Sequence, residues 1–226
     1  FFARDVMLHR FVVGHNVSPD KVEVASPWPI ARASNSAGRI SSTINDMLKY
    51  AQFHLSGGLA ADGTRLLSEP SIQQMQESQI EVGGFLDAMG ISWMLDDVDG
   101  AKMVHHGGAT NGQLAMLGMF PEQSFAYMLL TNGSDIGREL INGVTSWIVC
   151  EYAGANKSTL SPIEKADASL VEYVGSYSAR LMDIEISQEN NQLILQATSK
   201  GGFPLPSSPA PLDQPPPLHL AFDNED

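Results

Sequence analysis

Cysteine is nearly absent from this chain, and long apolar runs are missing altogether. Cys150 is the only cysteine among 226 residues, so an intrachain disulfide and any Cys-x-x-Cys metal or redox motif are excluded. Its neighbours, residues 147–149, are apolar, which predicts a buried structural thiol. No apolar run reaches the roughly 18 to 20 residues that a membrane-spanning helix needs, and the first residues lack the pattern of a signal peptide. The sequence therefore predicts no membrane span.

Basic residues are also scarce. The 13 Lys and Arg residues stand against 26 Asp and Glu residues, which gives a formal net charge of −13. Such a chain repels phosphate backbones and anionic lipid headgroups, so nucleic acid and membrane surfaces are poor partners. Its length and its hydrophobic content of 43% are typical of a soluble globular protein with one large or two smaller domains.

Hydrophobic periodicity predicts an α+β arrangement for the first part of the chain. Residues 1–36 are broken by prolines, which predicts an irregular, partly extended segment. Apolar residues at helical spacing follow Thr43, with Asp46 as its capping partner, and predict a helix that ends at Gly57-Gly58. Further helices are predicted at 69–78 and 137–152, and strands at 90–95, 102–106, 113–120 and 125–131. Short turns between these strands favour an antiparallel sheet with helices packed against it.

The composition changes after about residue 155. Residues 156–168 are polar and predict a linker that separates residues 1–155 from a second unit. Residues 169–200 contain three short strand-like runs, with Asn190-Asn191 as a turn, and predict a small β-rich extension. Residues 201–226 are rich in proline, which opposes regular ladder pairing and predicts an extended or mobile tail.

The most informative stretch runs from Val104 to Gly112, where two histidines end a predicted strand and two glycines follow them. Glycines allow a ligand to approach the backbone closely. Adjacent residues of a strand point to opposite faces, so only one of His105 and His106 can line a given pocket. The stretch therefore predicts a binding or catalytic site at the end of a strand.

Two other interpretations of these histidines are a metal site and a structural role. Metal binding would need further ligands at suitable spacing, yet the other histidines are scattered: His9, His15, His54 and His219. The nearby acidic residues, Asp96-Asp97 and Asp99, lack an EF-hand pattern and predict a solvated turn. In a structural role, the histidines would only satisfy local hydrogen bonds.

A family resemblance rests on this stretch. His106-Gly107-Gly108, followed by Ala109 to Gly112, resembles the third active-site motif of the serine beta-lactamase-related and penicillin-binding-protein-like hydrolases, where it replaces Lys-Thr-Gly. The run from Ser36 to Met47 resembles the family's Ala-Gly-Gly-x-x-Ser-Thr-x-x-Asp segment, which opens a helix. Residues 170–197 are similar to the lipocalin-like extension that follows many such domains. The resemblance covers most of residues 10–200 and implies the C-terminal part of a beta-lactamase/transpeptidase-like fold.

The resemblance also implies roles for individual residues. The backbone N–H of Ala109 would donate to the acyl oxygen, and the side chain of His106 would supply polarity near the leaving group or a carboxylate. A second register, His105-His106-Gly107, fits the looser His-x-Gly pattern and ranks below the first. Neither a cofactor nor a metal is expected. The implied catalytic residues are His106, Gly107, Gly108 and Ala109, and the implied substrate contacts are Asn111 and Gly112.

Two parts of the family's chemistry are missing from the sequence. Ser18-Pro19-Asp20-Lys21 matches the nucleophile motif Ser-x-x-Lys as text, but it lies among polar residues where no nucleophile is expected. None of the five tyrosines is followed two residues later by asparagine, so the Tyr-x-Asn motif is absent. The chain begins with Phe1 rather than methionine, and together with these gaps this predicts a processed, excised or incomplete polypeptide.

We therefore expect a fragment of a serine hydrolase that acts through an acyl-enzyme on a β-lactam, a peptidoglycan peptide or a small ester, and that is inactive alone. The alternative is a non-catalytic binding or scaffold protein derived from the same fold. The expected partners are a small-molecule or peptide substrate and the missing N-terminal segment of the fold, and an uncovered core would allow oligomers to form. A periplasmic or extracellular location is implied only by the resemblance.

Overall fold

The computed structural model describes residues 6–18, 20–26, 35–82, 86–154, 167–178, 182–199 and 216–222. The chain divides into two compact units, Phe1–Lys157 and Ser158–Asp226. Most of the predicted linker and of the predicted proline-rich tail lies outside the described residues.

The first unit is built on a six-stranded antiparallel sheet. A separate hairpin precedes it, formed by β1 (His15–Ser18) and β2 (Lys21–Val24). The six strands of the sheet are β3 (Ile80–Glu81), β4 (Ala88–Met89), β5 (Met94–Val98), β6 (Ala101–Thr110), β7 (Gln113–Phe120) and β8 (Phe125–Thr131). Their order in space equals their order in the chain. The predicted antiparallel arrangement and the α+β class are confirmed.

The described residues of this unit include the helices α1 (Asn35–Gly38), α2 (Ile44–Leu55), α3 (Glu69–Met75) and α4 (Asp135–Tyr152). The start of α2 confirms the predicted cap, because the Thr43 hydroxyl oxygen accepts the N–H of Asp46 at 3.2 Å. The same hydroxyl donates to the Asp46 carboxylate at 2.9 Å. The helix α3 ends at Met75, three residues before the predicted end, because Gln76 caps it.

Both faces of the sheet are covered by helices. One face packs on α2, and its buried residues are Ala51, Ala88, Trp93, Leu95, Val104, Leu117 and Met119. The other face packs on α4, and its buried residues are Ala101, Met103, Phe120, Tyr127, Ile148 and Val149. Side chains of successive strand residues alternate between these two cores, as strand geometry requires. The thiol-bearing Cys150 of α4 is half-buried, less buried than the sequence predicts.

Two strand predictions for this unit need correction. Residues 90–93 form a turn instead of a strand, because the N–H of Gly90 donates to the Trp93 carbonyl at 2.8 Å and Ser92 has φ of 64°. The strand β6 does not end at the histidines but continues to Thr110, since β7 supplies ladder partners for the glycines. The segment predicted as irregular and partly extended contains the β1–β2 hairpin, in which the extended parts pair with each other.

Where the structure describes the second unit, it contains a short helix, α5 (Asp167–Leu170), a 3-10 turn and a four-stranded antiparallel sheet. Its strands are β9 (Gly175–Ser178), β10 (Met182–Glu189), β11 (Gln192–Ser199) and β12 (Leu218–Leu220). Asn190 and Asn191 have φ of 49° and 63° and form the predicted two-residue turn. The strand β12 corrects the expectation of a tail without ladder pairing, because its residues follow the last proline and pair with β11.

Among the described residues, no helix is long and apolar enough to cross a membrane. The 18-residue helix α4 buries Ile148 and Val149 against the sheet and exposes other apolar residues, among them Leu140 and Trp147.

Candidate active site

The strand β6 has one open edge over its last five residues. It pairs with β7 from Val104 to Thr110, but with β5 only from Ala101 to His105. In the described part of the chain, nothing else pairs with residues 106–110 on the β5 side. Alternate residues of an antiparallel strand direct both backbone polar groups away from the partner strand. Backbone donors and acceptors of this segment are therefore available to a ligand at the open edge.

The two adjacent histidines lie on opposite faces of β6 and differ in exposure. His105 is 8% exposed and lies on the α4 face, where its Nε2–H donates to the Asp96 carboxylate at 2.8 Å. His106 is exposed and lies on the α2 face, on the same side as the buried Val104. Only His106 is therefore open to a ligand from solvent, which favours the register His106-Gly107-Gly108 over the alternative register.

This pairing corrects the expected solvated aspartate turn. Asp96 and Asp97 lie on β5, and the turn itself is formed by Asp99 and Gly100, with φ of 51° and 84°. Asp96 is drawn into the sheet by His105 and by the N–H of Asp87, which donates to its carboxylate at 3.1 Å. The described residues contain no group of three or more His, Cys, Asp or Glu that could hold a metal ion.

The two glycines of the motif are not required by the packing of the protein itself. A Cβ atom built on Gly108 would lie 3.8 Å from the Cβ of Ala115, and one on Gly107 would lie 3.6 Å from the Ala115 carbonyl oxygen. Both distances are ordinary van der Waals contacts. The missing side chains therefore leave space beside an open strand edge, on both faces of the sheet, which is what close approach of a ligand to the backbone needs.

The turn after β6 is held by a segment that the sequence did not mark as functional. The backbone N–H of His15 lies 3.1 Å from the Gly112 carbonyl oxygen and 2.9 Å from the Asn132 carbonyl oxygen. The side chain of Gln113 donates to the Val12 carbonyl at 3.0 Å. Gly112 is buried under this segment, whereas Asn111 is half-buried. An isolated Gly14 after three apolar residues was the available signal, because such a glycine indicates close backbone approach.

The text match to Ser-x-x-Lys lies in the β1–β2 hairpin. Ser18 and Lys21 are directly opposite each other in the hairpin register. The amine of Lys21 makes an ion pair with Glu23 at 2.6 Å. A catalytic Ser-x-x-Lys needs both side chains on one helical turn, so this match is a coincidence of sequence.

A further histidine, His54 of α2, is buried on the α2 face and is 3% exposed. Its ring lies 5.0 Å from that of Trp93 and 4.7 Å from that of Tyr50, centroid to centroid. Its Nδ1 has no hydrogen-bond partner among the described residues. Burial lowers the pKa of His54 below its ordinary value, because the charged imidazolium is poorly solvated there.

We expect His54 to make the stability of the chain depend on pH. The unfolded chain takes up a proton near pH 6.5, whereas folded His54 takes it up only at a lower pH, so the free energy of unfolding falls as the pH drops below about 6.5. The slope from this group is at most about 1.4 kcal/mol per pH unit. Urea melts at a series of pH values between 5 and 8 give the free energy of unfolding at each pH. Its change with pH should be smaller for His54→Phe than for the unaltered chain. Equal slopes would contradict this assignment.

Comparisons with known proteins agree on one family. Residues 8–142 match the family model described as Beta-lactamase. The chain is 35% identical over 134 residues to penicillin-binding protein 4 of Amycolatopsis lactamdurans, a match that covers 53% of this chain and 34% of that protein. The chain thus spans about a third of the length of this curated relative.

Two solved structures are similar in fold. The octameric penicillin-binding protein homologue from Pyrococcus abyssi matches with a TM-score of 0.54 and 18% identity, over 87% of this chain and 44% of that one. The structure of SurE matches with a TM-score of 0.57 and 17% identity, over 94% of this chain and 52% of that one. At such identities the likeness concerns the fold alone.

Proposed function

The chain belongs to the beta-lactamase family, and we propose that it carries the acyl-binding half of a serine hydrolase site, built on the open edge of β6. The observation that carries the proposal is the combination of free backbone groups at residues 106–110 with two glycines that the packing does not require. His106 is the exposed polar side chain beside them.

The proposed chemistry is acyl transfer through a serine ester. The serine oxygen, supplied by another part of the polypeptide or by a second chain, forms a bond to the acyl carbon, and the leaving group departs with a proton. The developing oxyanion accepts a hydrogen bond from the N–H of Ala109, and His106 polarises the leaving group or binds a substrate carboxylate. Water then releases the acyl group and restores the serine. The substrate is a β-lactam, a peptidoglycan peptide or a small ester.

A non-catalytic binding protein is the second candidate, because the same open edge can bind an extended peptide without any nucleophile. A peptide would add to β6 as a further antiparallel strand, with main-chain hydrogen bonds to residues 106–110. This candidate also uses the space left by Gly107 and Gly108.

Turnover measurements on three substrates separate these candidates. A chromogenic cephalosporin, an activated ester and a peptide ending in D-Ala-D-Ala are each mixed with this chain and with a longer polypeptide that includes an upstream serine and lysine. We expect no turnover by the chain alone and turnover of at least one substrate by the longer polypeptide. Peptide binding without turnover by the longer polypeptide would favour the binding protein, and turnover by the chain alone would contradict the half-site.

An apolar groove at the other edge of the sheet supports the proposal that a further segment of the fold covers this edge. The strand β8 is the last strand, and its sequence from Phe125 to Thr131 contains no charge. Leu130 is 43% exposed, and beside it Ile44 of α2 and Leu140 of α4 are 44% and 57% exposed. These three side chains help line a groove of about 150 Å³. We propose that the part of the fold carried by longer relatives packs here, through a strand paired with β8.

The exposed β8 edge is expected to make the isolated chain self-associate, because an uncharged apolar edge strand is a template for pairing with another chain. Leu130→Lys should shift the chain toward monomer, since it places a charge on that edge. Leu66→Lys is the matched control, because Leu66 is also exposed, at 63%, but lies outside the groove. Sedimentation velocity over a concentration series measures the effect. A monomeric unaltered chain at all concentrations would show that the edge needs no cover.

A further inference from the structure

The partly buried His105–Asp96 pair lies directly behind the open edge of β6. The His105 Nε2–H donates to the Asp96 carboxylate at 2.8 Å, and the two side chains are 10% and 27% exposed. It faces α4, whereas His106 faces α2, so the pair cannot touch a molecule bound beside His106. Any effect of the pair on such a molecule is therefore exerted through the backbone of β6.

The position of the pair along the strand is informative. His105 is opposite Met94, the first residue of β5, so it is the last residue of β6 with strands on both sides. From His106 onward β7 is the one pairing partner of the strand among the described residues. The side-chain bond to Asp96 thus fixes the point from which the open edge projects.

The two adjacent histidines of β6 are identical in type, so their sequence does not show which of them lies on each face. Met103 and Val104 are both apolar and both buried, one in each core, and they are followed by two identical histidines. A shift of one residue reverses every side chain of a strand. Here such a shift would place one histidine where the other lies, and the Asp96 carboxylate on the α4 face is the partner that distinguishes the two histidines.

Asp96 is itself held in place. Its second carboxylate oxygen accepts the N–H of Asp87 at 3.1 Å, and the Asp87 carboxylate accepts the N–H of Asp97 at 2.7 Å. These reciprocal bonds fix the Asp96 side chain on the α4 face before β6 is considered. Charged acceptors make the stronger hydrogen bonds, so a carboxylate at this position is a selective anchor for an imidazole N–H.

We propose that His105 and Asp96 are positioning residues, which set the facing of β6 so that His106 and the backbone of residues 107–109 are presented at the open edge. The inference rests on the proposed function for its functional consequence, which is that the open edge of β6 binds the acyl group. The structural part of the inference concerns the His105–Asp96 pair alone and can be measured without an active enzyme.

The test is amide hydrogen exchange by NMR on the chain as it exists, comparing Asp96→Asn with Asp99→Asn. The control residue, Asp99, is an exposed aspartate in the turn that follows β5. Its φ of 51° is a backbone conformation that asparagine also tolerates. The amides to follow are those of His106, Gly108 and Thr110, which alternate with Ala109 and therefore point to β7. Asp96→Asn is expected to speed exchange at these amides by about tenfold or more, a shift of about 1.4 kcal/mol in local opening, and to leave the β8 amides unchanged. Asp99→Asn should change neither set.

Two further outcomes decide the proposal. Uniform acceleration across β6 and β8 would show that Asp96 contributes only to global stability, and unchanged exchange at His106, Gly108 and Thr110 would show no positioning; either result overturns the proposal. Should Asp96→Asn not fold, His105→Gln keeps a side-chain N–H donor and should retain protection, whereas His105→Leu should lose it. Equal protection in these two variants also overturns the proposal. A longer polypeptide that fails to turn over substrate refutes the proposed function alone and leaves these exchange results intact.

Discussion

Gly108→Val is expected to leave the chain folded while slowing acylation of a longer, active polypeptide by about 10²-fold or more, the scale of losing one oxyanion contact. The built Cβ at Gly108 meets only the Cβ of Ala115, at 3.8 Å, so a side chain fits the folded protein. Valine also favours a strand, and it reduces the conformational freedom of the unfolded chain. The loss of rate would arise because the new methyl groups occupy the space beside the open edge.

The matched control for this substitution is Gly143→Ala. Gly143 lies on α4 with nothing within 4 Å of its built Cβ, far along the chain from β6. Acylation rates with a fluorescent penicillin and thermal melts are measured for both variants. A Gly108→Val variant that acylates at the unaltered rate would show that the open edge is not where substrate binds.

Gly112→Ala is expected to destabilise the first unit by several kcal/mol. Gly112 has φ of +69°, and its built Cβ would lie 2.4 Å from the backbone nitrogen of His15 and 2.7 Å from the carbonyl carbon of Gly14. The left-handed conformation costs an alanine about 1–2 kcal/mol. Forcing the His15 backbone away adds about 1–3 kcal/mol, the usual cost of overpacking. Urea unfolding followed by circular dichroism gives the change in free energy.

Gly100→Ala separates the two causes. Gly100 also has a positive φ, +84°, but nothing lies within 4 Å of its built Cβ. It should therefore show only the conformational cost. Equal losses of unfolding free energy for Gly100→Ala and Gly112→Ala would mean that the segment around His15 does not hold the turn. Gly112 would then be interpreted as a substrate contact, as the family resemblance implies.

The parts of the fold that local chemistry dictates were predictable from sequence. The Thr43 cap, followed by apolar residues at helical spacing, marks the start of α2. Asn190-Asn191 tolerates the left-handed backbone that a two-residue turn needs, so the β10–β11 hairpin follows. The order of the meander follows from short turns, because parallel strands would need long crossovers.

The errors concern features decided by partners distant in sequence. The glycines of β6 have low strand propensity, yet β7 pairs with them and extends the strand to Thr110. The β1–β2 hairpin likewise forms in a proline-rich region. Asp96 looked like a turn residue because its partner, His105, is nine positions away across the β5–β6 turn.

The sequence predicted a candidate site on this strand, but it did not predict which of His105 and His106 is exposed. The His-Gly-Gly pattern pointed to the segment of β6 that has the open edge. It could not say which histidine is exposed, because two adjacent identical residues give the same pattern on both faces. The buried contact with Asp96, which decides the matter, needs the register of β5 against β6.

The central claim is that this chain supplies the acyl-binding strand and not the nucleophile. Intact-mass measurement and peptide mapping after exposure to benzylpenicillin test it most directly, on the chain alone and on a longer polypeptide with an upstream serine and lysine. The account predicts an acyl adduct only in the longer polypeptide, attached upstream of residue 1, and lost or much slowed in Gly108→Val. An adduct on any residue of the chain described here would contradict it.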